Sequence, residues 1–277
     1  MIEMRPKKSL VQNFLKSEAA LRKIIEAGEI KLDDIILEIG PGKGALTAKL
    51  LEKAKIVIAV EKDDALFEFL KNKFAEKIRE GKLILIHDDI LKFQISNYQF
   101  PKYKIIANIP YNITGAVLKK FLSAENPSGI APSAVDPRAM LRASQPELMV
   151  LMLQQEVAQR IIARDNKESL LSVSVKAYGE PKMVMKVPAR YFSPAPKVDS
   201  AIIAIKNISR KFFEKNEINE ERFWKIVKAG FAHKRKKLGN NLKNLINPIG
   251  LAPVADKRAE DLTLSDWKEL VKGQNPS

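Results

Sequence analysis

The chain has 277 residues, of which 45% are hydrophobic, and a formal net charge of +15; this length suffices for one substantial domain and a smaller one. It contains no cysteine and only two distant histidines, His87 and His233, which excludes disulfides and cysteine-based sites, and a histidine-rich metal site is not expected. No apolar run approaches about 18 residues and no signal peptide is recognisable, so we expect a cytoplasmic protein without membrane contact. The positive charge favours a nucleic acid partner.

The pattern of apolar residues predicts an α/β protein. A leading helix is predicted over 18–27, with Ser17 as its N-cap. Strand-like apolar runs then alternate with helical segments up to about residue 122, as in a parallel sheet. Seven runs are predicted as strands: 35–39, 56–60, 83–86, 104–107, 148–153, 183–187 and 201–205. After Lys206 the pattern is helical, so we predict two domains, 1–206 and 207–277.

A glycine-rich turn, Gly40-Pro41-Gly42-Lys43-Gly44, joins the first of these strands to a helical segment. Glycines in such a turn let a nucleotide approach the backbone closely. The spacing also satisfies a dinucleotide-binding pattern. However, Glu38 before the turn would repel a pyrophosphate, and Gly44 comes one position early for that pattern. A cofactor with a cationic or neutral tail fits better, and S-adenosylmethionine is the common one.

Acidic residues follow the next two strands. Glu61 ends the second strand, roughly twenty residues after the glycine turn, which is the spacing for contact with ribose hydroxyls. Asp89 follows the third strand, where it can accept a hydrogen bond from an adenine amino group. A single acid in this position is usually a solvated turn residue. Several acids on successive strands favour a ligand site, since ligands of open α/β sheets bind beyond the carboxyl ends of the strands.

The segment Asn108-Ile109-Pro110-Tyr111 follows the fourth strand. The Asn108 side chain and the Ile109 carbonyl can accept both hydrogens of an exocyclic amino group, and Pro110 stiffens the turn. Tyr111 offers a flat face on which a base can stack. Taken alone, the segment is equally consistent with an ordinary turn between a strand and a loop.

Together these motifs resemble those of the ribosomal RNA adenine N6-dimethyltransferases, the Ksg-type enzymes and their erythromycin-resistance (Erm) relatives. The resemblance covers nearly the whole chain and implies a seven-stranded, Rossmann-like class I methyltransferase sheet with a small all-helical C-terminal domain. The motifs are Gln12-Asn13-Phe14-Leu15, Glu38 to Gly44, Val60 to Asp63, Asp89-Ile90, Asn108 to Ile113 and Phe192 to Ser200. The implied S-adenosylmethionine contacts are Asn13, Leu15, Glu38, Gly40, Gly42, Glu61, Asp89 and Asn108.

The resemblance implies dimethylation of two adjacent adenosines near the 3′ end of small-subunit (16S) ribosomal RNA, with a role in small-subunit biogenesis. The implied catalytic residues are Asn108, Pro110, Tyr111 and Phe192, with Tyr111 and Phe192 stacking on the base. For Phe192, core packing is the alternative. Three other functions stay open: an Erm-like enzyme acting on large-subunit (23S) RNA, an assembly factor acting mainly by binding, and, least favoured, a DNA adenine methyltransferase.

The C-terminal part is strongly basic, with 12 Lys or Arg against 4 acids between Lys206 and Lys243. A helix is predicted over 221–246, with Phe223, Ile226, Val227 and Phe231 facing inward. Its predicted RNA-binding residues are Lys234, Arg235, Lys236 and Lys237, which would contact phosphates. A solvated helix end is the alternative, and Lys7, Lys8 and Lys16 are candidates to extend the same surface. The expected partner is ribosomal RNA in the small subunit or its precursor, bound by a monomer.

The stretch 123–146 departs from the family pattern, which has a shorter connection here. It is rich in Pro, Ala and Ser and lacks periodicity, which predicts a mobile surface insertion. Arg138 and Arg142 are candidate RNA contacts within it.

Overall fold

The computed structural model describes residues 13–95, 102–123 and 145–273. The chain divides into two compact units, Met1–Ala158 with Glu180–Ile208, and Gln159–Gly179 with Ser209–Ser277. The predicted boundary at 206/207 differs from this division, because the second unit also takes in Gln159–Gly179. A single boundary in the sequence cannot represent a unit that is built from two separate segments of the chain, as the second unit is.

The described residues form strands and helices that we number in chain order. The strands are β1 Phe14–Leu15, β2 Ile35–Ile39, β3 Ile56–Glu61, β4 Leu83–His87, β5 Lys104–Asn108, β6 Leu148–Gln154, β7 Glu180–Val187, β8 Phe192–Ser193 and β9 Ser200–Lys206. The helices are α1 Glu18–Ala27, α2 Ala45–Leu51, α3 Asp64–Lys73, α4 Ala75–Arg79, α5 Thr114–Leu122, α6 Gln155–Ile162, α7 Leu170–Lys176, α8 Lys211–Asn216, α9 Glu220–Phe231, α10 Leu238–Leu242, α11 Pro248–Leu251 and α12 Leu264–Lys272.

Seven of these strands form one sheet in the order β4-β3-β2-β5-β6-β9-β7. The first five run parallel, whereas β9 is antiparallel to both β6 and β7. The central strands are almost continuously apolar and buried, as is typical of a parallel sheet covered on both faces. The predicted α/β class and the seven predicted strands are therefore confirmed.

The order of the strands reverses at β2, which has β3 on one side and β5 on the other. A crevice forms at such a reversal because the connections after the two neighbouring strands lead away in opposite directions. In register, Ile39 of β2 lies beside Val60 of β3. The carboxyl ends of β2, β3, β4 and β5 thus bring the glycine turn, Glu61, Asp89 and Asn108 to one edge of the sheet.

One position in the fourth predicted strand is not apolar. Lys104 begins β5, is 8% exposed, and lies beyond the C-terminal end of α1. Its Nζ donates to the carbonyls of Gly28 at 3.3 Å and Glu29 at 2.7 Å and to Asp34 Oδ2 at 2.6 Å. Burial of this ammonium group is tolerated because it is paired and satisfies backbone carbonyls at the helix end.

Two very short strands were not predicted. β1 pairs antiparallel with β8, so that Phe14 lies beside Ser193 and Leu15 beside Phe192. This pair joins the N-terminal motif to the motif that begins at Phe192. Two-residue strands carry no readable periodicity, and their pairing depends on the folded sheet.

The predicted helix over 221–246 is wrong, because α9 ends at Phe231 and α10 begins at Leu238. The Asn241 side-chain amide donates to the carbonyls of Gly230 at 2.7 Å and His233 at 3.3 Å. It takes the place of the backbone N–H groups that a further helical turn would supply. Of the side chains expected to face inward, Phe223, Ile226 and Val227 are buried and Phe231 is half-buried.

Within the described parts of the chain, no helix combines the length and the apolar character needed to cross a membrane.

Candidate active site

A cavity of about 410 Å³ lies at the carboxyl ends of β2, β3 and β5 and beside the segment that follows β4. Its walls include every predicted cofactor-binding or catalytic residue except Phe192: Asn13, Leu15, Glu38, Gly40, Gly42, Glu61, Asp89, Asn108, Pro110 and Tyr111. All of these belong to the first compact unit. The structure therefore brings together residues that are spread over almost one hundred positions of the sequence.

The glycine turn forms one wall of the cavity because its backbone takes conformations that other residues rarely adopt. Gly40, Gly42 and Gly44 have φ angles of +64°, +59° and +73°, in the left-handed region that glycine enters without steric cost. A Cβ atom on Gly44 would also lie 2.5 Å from Cε2 of Phe74. Without side chains on these glycines, the backbone of the turn is accessible from the cavity, and the chain continues directly into α2.

The Glu61 carboxylate is fixed by three backbone N–H groups. Oε1 accepts from Lys62 and Asp63, both at 2.9 Å, and Oε2 accepts from Gly42 at 3.1 Å. Burial raises the pKa of Glu61, and these hydrogen bonds oppose that effect. Since each carboxylate oxygen has two acceptor sites, Oε2 keeps one for a ligand hydroxyl.

Glu38 is the most deeply buried acid of the site, with 1% of its surface exposed. Burial raises its pKa to about 8, and the negative charge of Glu61 acts in the same direction. Among the described residues, its Oε2 atom has no hydrogen-bond partner. A buried oxygen of this kind in a cavity wall suits a ligand that forms a hydrogen bond with it.

Asp89 is held at the edge of the cavity by an ion pair that local sequence patterns do not reveal. Lys62 Nζ lies 2.8 Å from Asp89 Oδ2, and the Leu91 N–H donates to Oδ1 at 2.9 Å. The hydrogen bond from Lys62 is the main reason why the pKa of Asp89 is lowered. Asp89 therefore stays ionised and can accept a hydrogen bond from an amino group.

Asn108 and Tyr111 occupy the wall formed by the end of β5. The Asn108 amide nitrogen faces the Asn13 carbonyl at 3.5 Å, which leaves its side-chain oxygen as the atom that can accept from a substrate. The Tyr111 hydroxyl lies 2.5 Å from Oγ of Ser200, a fully buried residue at the start of β9. Ser200 thereby fixes the orientation of the Tyr111 ring, a role that the sequence pattern did not indicate.

The interpretation of Phe192 as a second stacking residue stays a prediction, and the structure does not place this side chain in the cavity wall. Its side chain is 4% exposed, belongs to the hydrophobic core and does not line the cavity. Pairing of β8 with β1 directs it into the core beside Leu15. The alternative reading, ordinary core packing, is the one that this burial supports.

Sequence reasoning missed the contribution of Phe14 and Ser193 to the cavity wall. Lys43 Nζ lies over the Phe14 ring, 4.8 Å from its centroid. A Cβ atom on Gly42 would lie 3.2 Å from the same ring. Both residues reach the cavity through the β1–β8 pair. Both belong to motifs that carry the family resemblance, which was the available signal, but no local pattern predicts the pairing that brings them together.

The four predicted RNA-binding residues, Lys234 to Lys237, are all exposed between α9 and α10. They differ in charge environment, because Lys237 Nζ lies 2.7 Å from Asp256 Oδ1. Lys16 lines the cavity described above. Lys7, Lys8, Arg138 and Arg142 lie outside the described residues. Across 13–95, 102–123 and 145–273, no group of three or more His, Asp or Glu residues is placed to hold a metal ion.

Comparison with known proteins identifies the family. The profile of the family described as ribosomal RNA adenine dimethylase matches residues 4–263. Ribosomal RNA small subunit methyltransferase A of Dehalococcoides mccartyi strain CBDB1 is 39% identical over 96% of this chain and 88% of its own length. The protein of the same name from Fusobacterium nucleatum is 36% identical, with 98% of each chain covered.

Two solved structures resemble the whole chain. A dimethyladenosine transferase from Plasmodium falciparum superposes with a TM-score of 0.74 at 28% identity, covering 94% of this chain and 96% of its own. The 23S rRNA methyltransferase ErmE superposes with a TM-score of 0.72, covering 94% and 98%; at 24% identity it shows a shared fold alone. The chain therefore belongs to the ribosomal RNA adenine dimethylase family.

Proposed function

We propose that this protein transfers methyl groups from S-adenosylmethionine to two adjacent adenosines near the 3′ end of small-subunit (16S) ribosomal RNA. It would act as a monomer in the cytoplasm, during small-subunit biogenesis. The observation that carries the proposal is the convergence of Glu38, Glu61, Asp89 and Asn108 on one cavity. These four polar side chains come from four adjacent strand ends, as a nucleoside cofactor requires.

The residues of the cavity fit S-adenosylmethionine. Glu61 Oε2 retains an acceptor site for a ribose hydroxyl, and ionised Asp89 can accept from the adenine amino group. The unpartnered Glu38 oxygen would be available for a hydrogen bond with this cofactor. When bound, S-adenosylmethionine supplies a methyl group already activated on a sulfonium, so positioning and electrostatics are the main tasks left to the protein.

Asn108 and Ile109 would orient the target. The Asn108 side-chain oxygen and the Ile109 carbonyl accept the two hydrogens of the adenine amino group, which directs the nitrogen lone pair toward the cavity. As the amine gains positive charge in the transition state, the same acceptors stabilise it. Pro110 keeps the turn rigid, and the amine proton then leaves to solvent.

The target base must leave its stack to reach the cavity. Tyr111, held by Ser200, offers one face for stacking, a contact that contributes roughly 1–3 kcal/mol per base in single-strand binding. The exposed cations Lys234, Arg235 and Lys236 would contact phosphates, and Lys237 would contribute less because it already pairs with Asp256.

Two other functions remain as alternatives. An Erm-type activity on large-subunit RNA is less favoured, because the relatives at 36% to 39% identity are named for the small subunit whereas ErmE shows only a shared fold. A factor that acts by RNA binding alone is less favoured because the polar cofactor-site residues are all in place around the cavity.

The decisive experiment supplies the protein with cofactor labelled in its methyl group and either immature small subunits or large-subunit RNA, and then maps the modified base. We expect label on adjacent small-subunit adenosines. Asn108→Ala should abolish most of the turnover while retaining RNA affinity, since its contact strengthens as charge develops. Label on a large-subunit adenine would support the Erm alternative, and RNA binding without label would support the assembly factor.

A further inference from the structure

A second cavity, of about 500 Å³, lies where α9 and α10 meet. Its polar lining consists of His233, Lys236, Asn240, Asn241 and Lys243, and we call it the C-terminal groove. The groove belongs to the second compact unit, and none of the cofactor-site residues lines it. The sequence singled out the basic run 234–237 but did not indicate that only part of it borders a concave surface.

The groove is positively charged and has no acidic residue in its lining. Among the described residues, neither Lys236 nor Lys243 forms an ion pair, whereas Lys237, which lies outside the lining, pairs with Asp256. Lys236 and Lys243 are therefore unpaired cations that border the groove, whereas Lys234 and Arg235, which are also unpaired within the described parts of the chain, lie outside its lining. A concave surface lined by two ammonium groups attracts anions more strongly than isolated exposed lysines do.

Backbone carbonyls at the C-terminal end of α9 would ordinarily repel an anion, because this end of a helix carries partial negative charge. Here two carbonyls of this region, those of Gly230 and His233, already accept hydrogen bonds. Asn241 Nδ2 donates to the carbonyls of Gly230 at 2.7 Å and His233 at 3.3 Å, and the Lys236 N–H donates to His233 at 2.9 Å. The repulsion at the floor of the groove is thereby reduced, and Asn241 acts as a positioning residue.

The remaining lining is suited to the sugar and base of a nucleotide. Ala229 and Ala232 form an apolar wall, and Asn240 is exposed, so that its amide can both donate to and accept from a base edge. Sequence-specific proteins read unpaired RNA bases through such contacts. We propose that the C-terminal groove binds one unpaired nucleotide of ribosomal RNA, with Lys236 and Lys243 on its phosphate and Asn240 on its base.

This inference rests on the proposed RNA methyltransferase function and adds a second RNA-binding site away from the target adenosine. Its test measures the affinity of the full-length protein for a transcript of the 3′ region of small-subunit RNA at several salt concentrations. In Lys236→Gln/Lys243→Gln, the slope of log K against log salt should fall by up to about 1.4, or about 0.7 per single-strand phosphate contact. Asn240→Ala should weaken binding about 2–10-fold with an unchanged slope.

The matched control is Lys211→Gln/Lys225→Gln, which removes the same charge from exposed positions outside the groove. We expect it to change the slope much less, and all variants should bind S-adenosylmethionine and melt like the wild type. Equal slope changes in the two double variants would overturn the proposed groove site. RNA affinity would then depend only on the total charge of the protein and not on the position of the lysines. A wild-type slope in Lys236→Gln/Lys243→Gln would also overturn the proposed groove site. This outcome leaves the proposed methyltransferase function standing if the protein still methylates small-subunit RNA. Absence of methylation by the wild type would instead refute that function.

Discussion

Among single residues, Glu38 has the clearest dependence on pH. Its carboxyl group has a pKa of about 8 in the folded protein, against an ordinary value of 4.5. The folded state therefore binds more protons than the unfolded state between these values, and stability falls as pH rises through this window. Glu38→Gln removes the titration, so the stability of the variant relative to the wild type should increase by about 3–5 kcal/mol from pH 4 to pH 9.

Urea unfolding of both proteins across this pH range measures the difference. The comparison cancels the titration of groups that do not interact with Glu38. Glu61, whose pKa is also raised, interacts with Glu38 through its charge, so the measured difference includes the change in Glu61 titration. Parallel stability curves for the two proteins would show that Glu38 ionises normally in the folded state.

Ser200 and Tyr111 provide a second prediction for single residues. Ser200→Ala removes the hydroxyl that orients the Tyr111 ring, and we expect turnover to fall about 2–10-fold, as for the loss of one neutral hydrogen bond. Tyr111→Phe removes the same hydrogen bond from the other side. The double variant should therefore be no slower than the slower single variant, which methyl-transfer kinetics can establish. Multiplicative losses would mean that the two residues act independently.

Sequence alone located the polar residues of the site because each stands at the end of an apolar strand. Glu61, Asp89 and Asn108 were identified in this way. The ion pair of Asp89 with Lys62, 27 positions away, was not predicted, nor was that of Lys237 in the basic run with Asp256, 19 positions away. Such pairs depend on which elements become neighbours in space, which local periodicity does not encode.

Among the helices, α9 contains a glycine whose replacement tests the packing of the second unit. Alanine is favoured over glycine in a helix interior by about 1 kcal/mol, yet a Cβ atom on Gly230 would lie 2.4 Å from Cη2 of Trp267. That ring is fully buried and cannot move aside freely. We expect the clash to outweigh the helix preference, so Gly230→Ala should lower stability by about 1–3 kcal/mol.

Gly115 in α5 is the matched control, because an added Cβ atom there meets nothing within 4 Å. Gly115→Ala should leave stability unchanged or raise it by up to about 1 kcal/mol. Thermal or urea unfolding of the two variants gives the comparison. A gain in stability in both variants would mean that the contact between Gly230 and Trp267 does not limit packing.

The elements that could be predicted are those with enough length to show a period. The seven strands of the large sheet were found because each contains at least three apolar residues within four to six positions. α9 and α10 were merged because apolar residues recur with helical spacing on both sides of 232–237. The break depends on the side chain of Asn241, a tertiary contact with no counterpart in the periodicity.

At the scale of the whole molecule, the cofactor cavity and the C-terminal groove belong to different compact units. The change to a helical, basic pattern after Lys206 led to a prediction of two domains, 1–206 and 207–277, whose boundary differs from that of the compact units. The sequence could not show that 159–179 join the second unit, because nothing in their composition distinguishes α7 from the helices that cover the sheet. The two ligand classes proposed for this protein are thus assigned to separate units.

The division into units predicts how the cofactor stabilises the molecule. S-adenosylmethionine at 100 times its Kd should stabilise the first unit by about 2.7 kcal/mol, which shifts a transition of this size by roughly 5–10 °C. Glu61→Ala should weaken cofactor binding by roughly 1–3 kcal/mol and shrink that shift accordingly. Scanning calorimetry should show the second unit melting at an unchanged temperature, since none of its residues lines the cavity. If S-adenosylmethionine raises the melting temperature of the whole protein in a single transition, the two units melt as one. If the cofactor raises the melting temperature of Glu61→Ala as much as that of the wild type, Glu61 does not bind the cofactor.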